Sequence, residues 1–167
     1  MTRHHPPVLQ IVGHANSGKT TLITQLVAQL STMGYRVGTI KHHSGKLELD
    51  TRGKDSWLHR EAGAVPVTLV SQNQTAVYYS QPRSLAELLL HYSQTDLVLV
   101  EGFKRENYPK WALLKTGESL DWLEELTYLE AVVVSEPVGH FPYDVYYTHE
   151  VGQMARMLSR KIDLEKG

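Results

Sequence analysis

The sequence predicts a three-layer α/β fold, a mostly parallel sheet flanked by helices with a β-hairpin extension, and three observations carry the prediction. An apolar run from Val8 to Val12 leads into Gly13, His14, Ala15, Asn16, Ser17, Gly18, Lys19 and Thr20, and a helix-patterned stretch follows. Residues 36–41 then return as a second strand, so strand, helix and strand fit within about 35 residues, the scale of a parallel βαβ unit. Two later runs of consecutive apolar residues, 97–100 and 131–134, have the composition of strands buried on both faces. The glycines bracketing four residues and followed by Lys and Thr form the Walker A pattern. The expected architecture is therefore the P-loop NTPase fold, as a single nucleotide-binding domain over residues 1–167.

The chain of 167 residues is long enough for one domain with a substantial core. Its formal net charge is −1 and its basic residues are scattered, so no electrostatic footprint for nucleic acid is expected. The absence of cysteine removes disulfides, thiolate metal sites and cysteine nucleophiles together. No apolar run approaches membrane-spanning length, and the polar start, with His4 and His5, lacks the core of a signal peptide. A soluble, cytoplasmic protein without membrane contact is the expectation. His4 and His5 fit a frayed end better than a metal site.

Taken in order, the first helix presents Leu22, Ile23, Leu26, Val27 and Leu30 at helical spacing, with Gly34 as its left-handed stop. In the loop before it, small residues let backbone N–H groups turn inward around an anion, and the helix N-terminus adds its dipole. Gly13, Ala15, Asn16, Ser17, Gly18 and Thr21 are the expected cradle. Lys19 is expected to reach the β- and γ-phosphates, and the Thr20 hydroxyl to ligate Mg2+. The second strand ends at Lys41, His42 and His43, where ligands of parallel sheets gather, so Lys41 and His42 are expected to face the nucleotide.

Residues 44–54 are polar, with Gly45, Gly53, Glu48 and Asp50, and read as a loop that a γ-phosphate could order. Asp50 and Asp55 are its candidate acids, while Asp55 equally suits the N-cap of a short helix over 55–62 closed by Gly63. Residues 65–70 and 75–79 alternate around a four-residue turn and predict a hairpin, placed at a sheet edge or against a second subunit. A leucine-rich helix follows over 84–92, with Ser84 as its cap. The strand 97–100 ends in Glu101 and Gly102, as a Walker B strand ends in its metal-side carboxylate. Glu101 can ligate the metal, hold it through water or orient an attacking water.

Residues 111–114 form another expected strand, and 119–126, with Leu120, Leu123 and Leu126, an amphipathic stretch capped by Ser119. Glu136, after the strand at 131–134, lies where a base could be read, although a solvated acid is the simpler reading. A closing helix over 150–161 places Val151, Met154, Met157 and Leu158 on one face. His42 and His43 point to opposite faces of a strand, which argues against a shared zinc ion.

Read together, Gly18, Lys19, Thr20, Thr21 and Leu22, then Lys41 and His42, then Asp50, Gly53, Lys54, Asp55 and Ser56 resemble a known family. Ala62, Gly63 and Ala64, then Leu99 to Lys104, then Pro109 and Lys110 continue the likeness. The family is that of molybdopterin-guanine dinucleotide biosynthesis protein B, MobB. The resemblance spans roughly two-thirds of the chain and is far more specific than Walker A alone. It implies a GTP-binding protein with weak hydrolysis, usually a homodimer, that assists the molybdenum cofactor guanylyltransferase attaching a guanine nucleotide to molybdopterin. Ser44, Gly45 and Lys46 follow His43 where the family tends to carry another histidine, and the Asn-Lys-x-Asp guanine motif is absent.

Three functions compete. The first is a GTP- and Mg2+-binding accessory protein, with Thr20 and Glu101 on the metal and Glu101 and Asp50 as catalytic candidates. The second is a small-molecule kinase using ATP, with Lys41, Arg52 or Lys54 clamping the transferred phosphate. The third is an interaction module with a vestigial loop, against which the intact Lys19 and Thr20 argue.

Overall fold

The computed structural model describes residues 6–47 and 49–166, so His4, His5 and Glu48 lie outside the described residues. The chain packs as two compact units, one made of the chain up to His42 and from Leu85 onward, the other of His43–Ser84.

The first unit is built on a six-stranded sheet: β1 (Val8–Val12), β2 (Val37–Lys41), β5 (Leu97–Glu101), β6 (Lys110–Leu113), β7 (Leu129–Val134) and β8 (Asp144–Tyr147). Strands β3 and β4 belong to the second unit. The spatial order is β2-β5-β1-β6-β7-β8 and every pairing is parallel. All carboxyl ends therefore share one edge of the sheet.

Strand alternation divides the core into layers. Leu9 and Ile11 of β1 face α1 (Lys19–Thr32) and α4 (Val151–Lys166), meeting Leu22, Leu26, Leu30, Met154 and Leu158. Val8 faces Leu85 and Leu89 of α3 (Leu85–Leu89), while Val12 packs with Ala112, Leu123 and Val132. These are the expected layers, helices covering both faces of a parallel sheet. Gly34, at φ +91°, follows the last turn of α1, and the Tyr35 N–H bonds Leu30 O at 3.1 Å. That is the left-handed stop expected there.

Several features of this unit differ from the sequence expectation: the helix expected over 84–92 is α-helical only over Leu85–Leu89 and ends as a 3-10 turn over Leu90–Tyr92, and β7 starts at Leu129 rather than residue 131. Residues 119–126 form only a 3-10 turn over Asp121–Leu123, opened by a Ser119 Oγ contact from the Asp121 N–H. The leucine spacing explains this: Leu120, Leu123 and Leu126 recur every three residues, the 3-10 period rather than the α period. Strand β8 was not foreseen, because a four-residue strand carries little periodic signal. Helix α4 runs on to Lys166, past the expected end at residue 161.

In the second unit, α2 (Asp55–Glu61) precedes an antiparallel hairpin of β3 (Val67–Val70) and β4 (Thr75–Tyr78). The hairpin forms a two-stranded sheet of its own, closed by a bond from the Ser71 N–H to Gln74 O at 2.9 Å. Lys54, not Asp55, is the N-cap of α2, and Asp55 is its first helical residue. Its acid still sits in the first turn, where the dipole favours negative charge.

Candidate functional site

The loop after β1 is shaped by close approach. A Cβ on Gly13 would stand 2.5 Å from Leu113 O and 2.9 Å from Ser17 Oγ, so no larger residue fits between β1 and β6 without displacement. Asn16 (φ 59°) and Gly18 (φ +94°) take left-handed conformations that turn the chain back toward the sheet. Gly18 is the N-cap of α1, and its carbonyl accepts the Leu22 N–H at 3.0 Å. The N–H groups of Lys19, Thr20 and Thr21 thus open the helix, where no intrahelical acceptor exists for them. The first turn of α1 holds no acidic residue, which leaves its positive end uncompensated.

Lys19 curls over this loop. Its Nζ donates to Gly13 O (3.0 Å), His14 O (2.7 Å) and Ser17 Oγ (3.4 Å). Burial holds its pKa below the usual lysine value, with the Glu101 carboxylate opposing and Lys41 reinforcing that shift. An anion in the loop would favour its charged form.

The parallel register brings the second part of the site together. Lys41 lies opposite Glu101, and Ile11 opposite Glu101 on the other side, so the ends of β2, β5 and β1 converge. The Thr20 hydroxyl lies 3.1 Å and 3.0 Å from the two Glu101 carboxylate oxygens. Lys41 Nζ donates to Thr20 Oγ1 at 3.1 Å and pairs with Glu101 Oε1 at 3.0 Å. Residues 20, 41 and 101 therefore form one cluster beside the phosphate loop.

These groups fit Mg2+. The Thr20 hydroxyl and the Glu101 carboxylate, hydrogen-bonded at 3.0–3.1 Å, are hard oxygen donors of the kind Mg2+ takes, and they would hold it. Among the described residues no three His, Cys, Asp or Glu side chains gather as a metal cage. One carboxylate and one hydroxyl suit an ion whose remaining ligands are waters and phosphate oxygens. Bound there, such an ion would neutralise phosphate charge.

The other candidates have partners of their own. The His42 N–H bonds Glu101 O at 2.9 Å, but its ring packs on Phe103 at 4.6 Å rather than on Lys19 or Thr20. Asp50 belongs to the second unit, where Oδ1 accepts from Ser56 Oγ at 2.8 Å and Oδ2 lies 3.9 Å from Arg60. Glu136 is exposed beyond the end of β7.

Two contributors escaped the sequence reading. Gln10, fully buried in the middle of β1, donates to Gly102 O (3.1 Å) and Phe103 O (2.6 Å), fixing the turn that follows Glu101. Phe103 in that turn has φ 53°, an uncommon conformation for a bulky residue. A lone amide in a doubly buried strand was the available signal. His14 is braced by Glu118, Nδ1 to Oε2 2.8 Å, and by an edge-on contact with Trp122 whose ring centroid lies 5.0 Å away.

Comparison with known proteins places the chain in a family. The family model described as Molybdopterin guanine dinucleotide synthesis protein B matches residues 8–135. A molybdopterin-guanine dinucleotide biosynthesis adapter protein of Haemophilus influenzae is 40% identical over 137 residues, covering 79% of this chain and 76% of that one. A probable adapter protein of the same description from Bacillus subtilis is 33% identical over 130 residues, covering 75% of each chain. The crystal structure of a MobB protein homolog from Bacillus stearothermophilus superposes with a TM-score of 0.73 at 30% identity, over 94% of this chain and 98% of that one. With the family model spanning most of the sheet, from β1 to the end of β7, this chain belongs to the molybdopterin-guanine dinucleotide synthesis protein B (MobB) family.

Proposed function

We propose that this protein is an adapter of molybdopterin-guanine dinucleotide biosynthesis that binds GTP with Mg2+ and hydrolyses it slowly. The observation that carries the nucleotide reading is the Thr20–Glu101 pair at 3.0 Å beside a glycine-shaped loop ending in Lys19. Lys19 holds the β- and γ-phosphates, the opening N–H groups of α1 hold phosphate oxygens, and Thr20 and Glu101 hold the metal. The adapter role rests on the family and its relatives, and so does the choice of guanine. The partner is the guanylyltransferase that joins a guanine nucleotide to molybdopterin. Homodimerisation is proposed through the hairpin, whose Leu69, Val70 and Val77 are exposed apolar side chains on a two-stranded sheet of its own. Glu101 serves hydrolysis through the metal. Asp50, tied to Ser56 and Arg60, is a candidate tested by the turnover of Asp50→Asn.

The test is titration of fluorescent GTP and ATP, with Mg2+, against wild type and Lys19→Ala, followed by turnover alone and with acceptors. The expected result is GTP preference, loss of binding in the variant and turnover below about one per minute, against the 1–100 s⁻¹ of kinases. Tight ATP binding with fast acceptor-dependent ADP release would replace this reading with a kinase.

A further inference from the structure

The two oxygens that suit a metal already have a cation on them. Lys41 Nζ stands 3.1 Å from Thr20 Oγ1 and 3.0 Å from Glu101 Oε1. The β2–β5 register fixes this meeting, since Lys41 and Glu101 are direct partners at the ends of adjacent parallel strands. The Glu101 side chain is only 13% exposed, so its carboxylate needs a counter-charge, whereas the Lys41 side chain is 57% exposed and can withdraw into solvent. Lys19, the other ammonium nearby, is engaged with the loop carbonyls.

We propose that Lys41 competes with a divalent cation for the Thr20–Glu101 pair, so that metal is held there only when phosphate oxygens arrive to draw the ammonium away. An ammonium ion and a divalent cation cannot share the same two oxygens without strong repulsion. Alone, Thr20 and Glu101 offer two ligands and must first lose Lys41. With a triphosphate in the loop, the phosphate oxygens supply further metal ligands and a new acceptor for Lys41. Metal and nucleotide therefore load together, and the adapter does not sequester free divalent ions. The inference rests on the reading of Thr20 and Glu101 as metal ligands and adds the control that Lys41 exerts over them.

The experiment measures Mn2+ binding to the full chain without nucleotide, from the electron paramagnetic resonance signal of free Mn2+. Wild type, Lys41→Met, Lys41→Arg and the double variant Lys41→Met, Glu101→Gln are compared, with a second titration of each in the presence of GTP, read against GTP and Mn2+ without protein because the triphosphate itself binds Mn2+. Lys41→Met is expected to bind Mn2+ at least tenfold more tightly than wild type. Lys41→Arg, which keeps the cation, is expected to stay near wild type, and Glu101→Gln to abolish the gain. Because the predicted effect is a gain of binding, misfolding cannot imitate it. Equal affinity of wild type and Lys41→Met, with wild type binding Mn2+ once GTP is added, would overturn the competition and leave the metal pair standing. A gain that survives Glu101→Gln, or no binding by any form with or without GTP, would overturn both.

Discussion

Gly13→Ala is the substitution whose effect follows most directly from geometry. The added Cβ would lie 2.5 Å from Leu113 O, 0.9 Å inside the 3.4 Å at which ordinary contact begins. That oxygen cannot yield easily, because Leu113 pairs with Val133 and the next N–H, of Leu114, bonds Val133 O at 2.9 Å. The phosphate loop must move instead. Overpacking of this kind costs about 1–3 kcal/mol, and each kcal/mol lowers Tm by about 2–4 °C in a domain of this size. A shift of the loop would also misalign the N–H groups proposed to hold phosphate, and losing one hydrogen bond to a charged oxygen costs about 1.5–3 kcal/mol, roughly 10- to 100-fold in affinity. Gly34→Ala is the control: its φ of +91° makes a side chain strained, yet no atom lies within 4 Å of the added carbon. It should lose stability by about 1 kcal/mol while nucleotide affinity is unchanged. Both variants are read by thermal denaturation and by calorimetric titration with GTP. Unchanged GTP affinity in Gly13→Ala would refute the assignment of this loop as the phosphate cradle.

Replacing Gln10 with Leu removes the donors to Gly102 O and Phe103 O. The variant should lose about 1–3 kcal/mol in denaturant unfolding and lose Mg2+-dependent GTP affinity more than Mg2+-free affinity, because the turn after Glu101 is no longer pinned. Lys110 is fully buried at the start of β6 and donates to the carbonyls of Glu106 and Tyr108. Lys110→Met should therefore cost about 1–3 kcal/mol at neutral pH. Burial also lowers the pKa of Lys110 below 10.5, against an opposing pull from Glu106. The folded state then binds fewer protons than the unfolded state between the lowered value and 10.5, so this group's contribution to stability rises with pH across that window. The Tm deficit of Lys110→Met relative to wild type should widen as pH climbs toward 10.5; a deficit that narrows would contradict the burial effect.

Much of this was legible in the sequence because the first βαβ unit is local. Val8–Val12, the Gly13–Thr20 pattern, the α1 leucines and Gly34 lie close together in the chain, and each determines its structure through neighbours. The Walker B strand was also legible, since a fully buried parallel strand reads as an unbroken apolar run. Strand order was not legible: β5 inserts between β1 and β2, a pairing between residues far apart in the chain. The Lys41–Glu101 contact depends on that insertion, so the sequence placed both residues near the nucleotide but could not place one upon the other. The Gln10 clamp was hidden for a similar reason, because its acceptors arrive from a loop more than ninety residues later. The strand was expected to start at residue 111, which left Lys110 outside it, and only the folded carbonyls of Glu106 and Tyr108 explain why a lysine can be buried there.

The central reading is that Thr20 and Glu101 form the metal half of a nucleotide site. Its most direct test is the GTP dissociation constant with Mg2+ and with a chelator, for wild type and Glu101→Gln, by calorimetric titration. Wild type should bind GTP more tightly with Mg2+ than without, and Glu101→Gln should lose most of that difference while keeping its Mg2+-free affinity. An equal loss in both conditions, or a Mg2+ effect that survives the substitution, would remove Glu101 from the metal site.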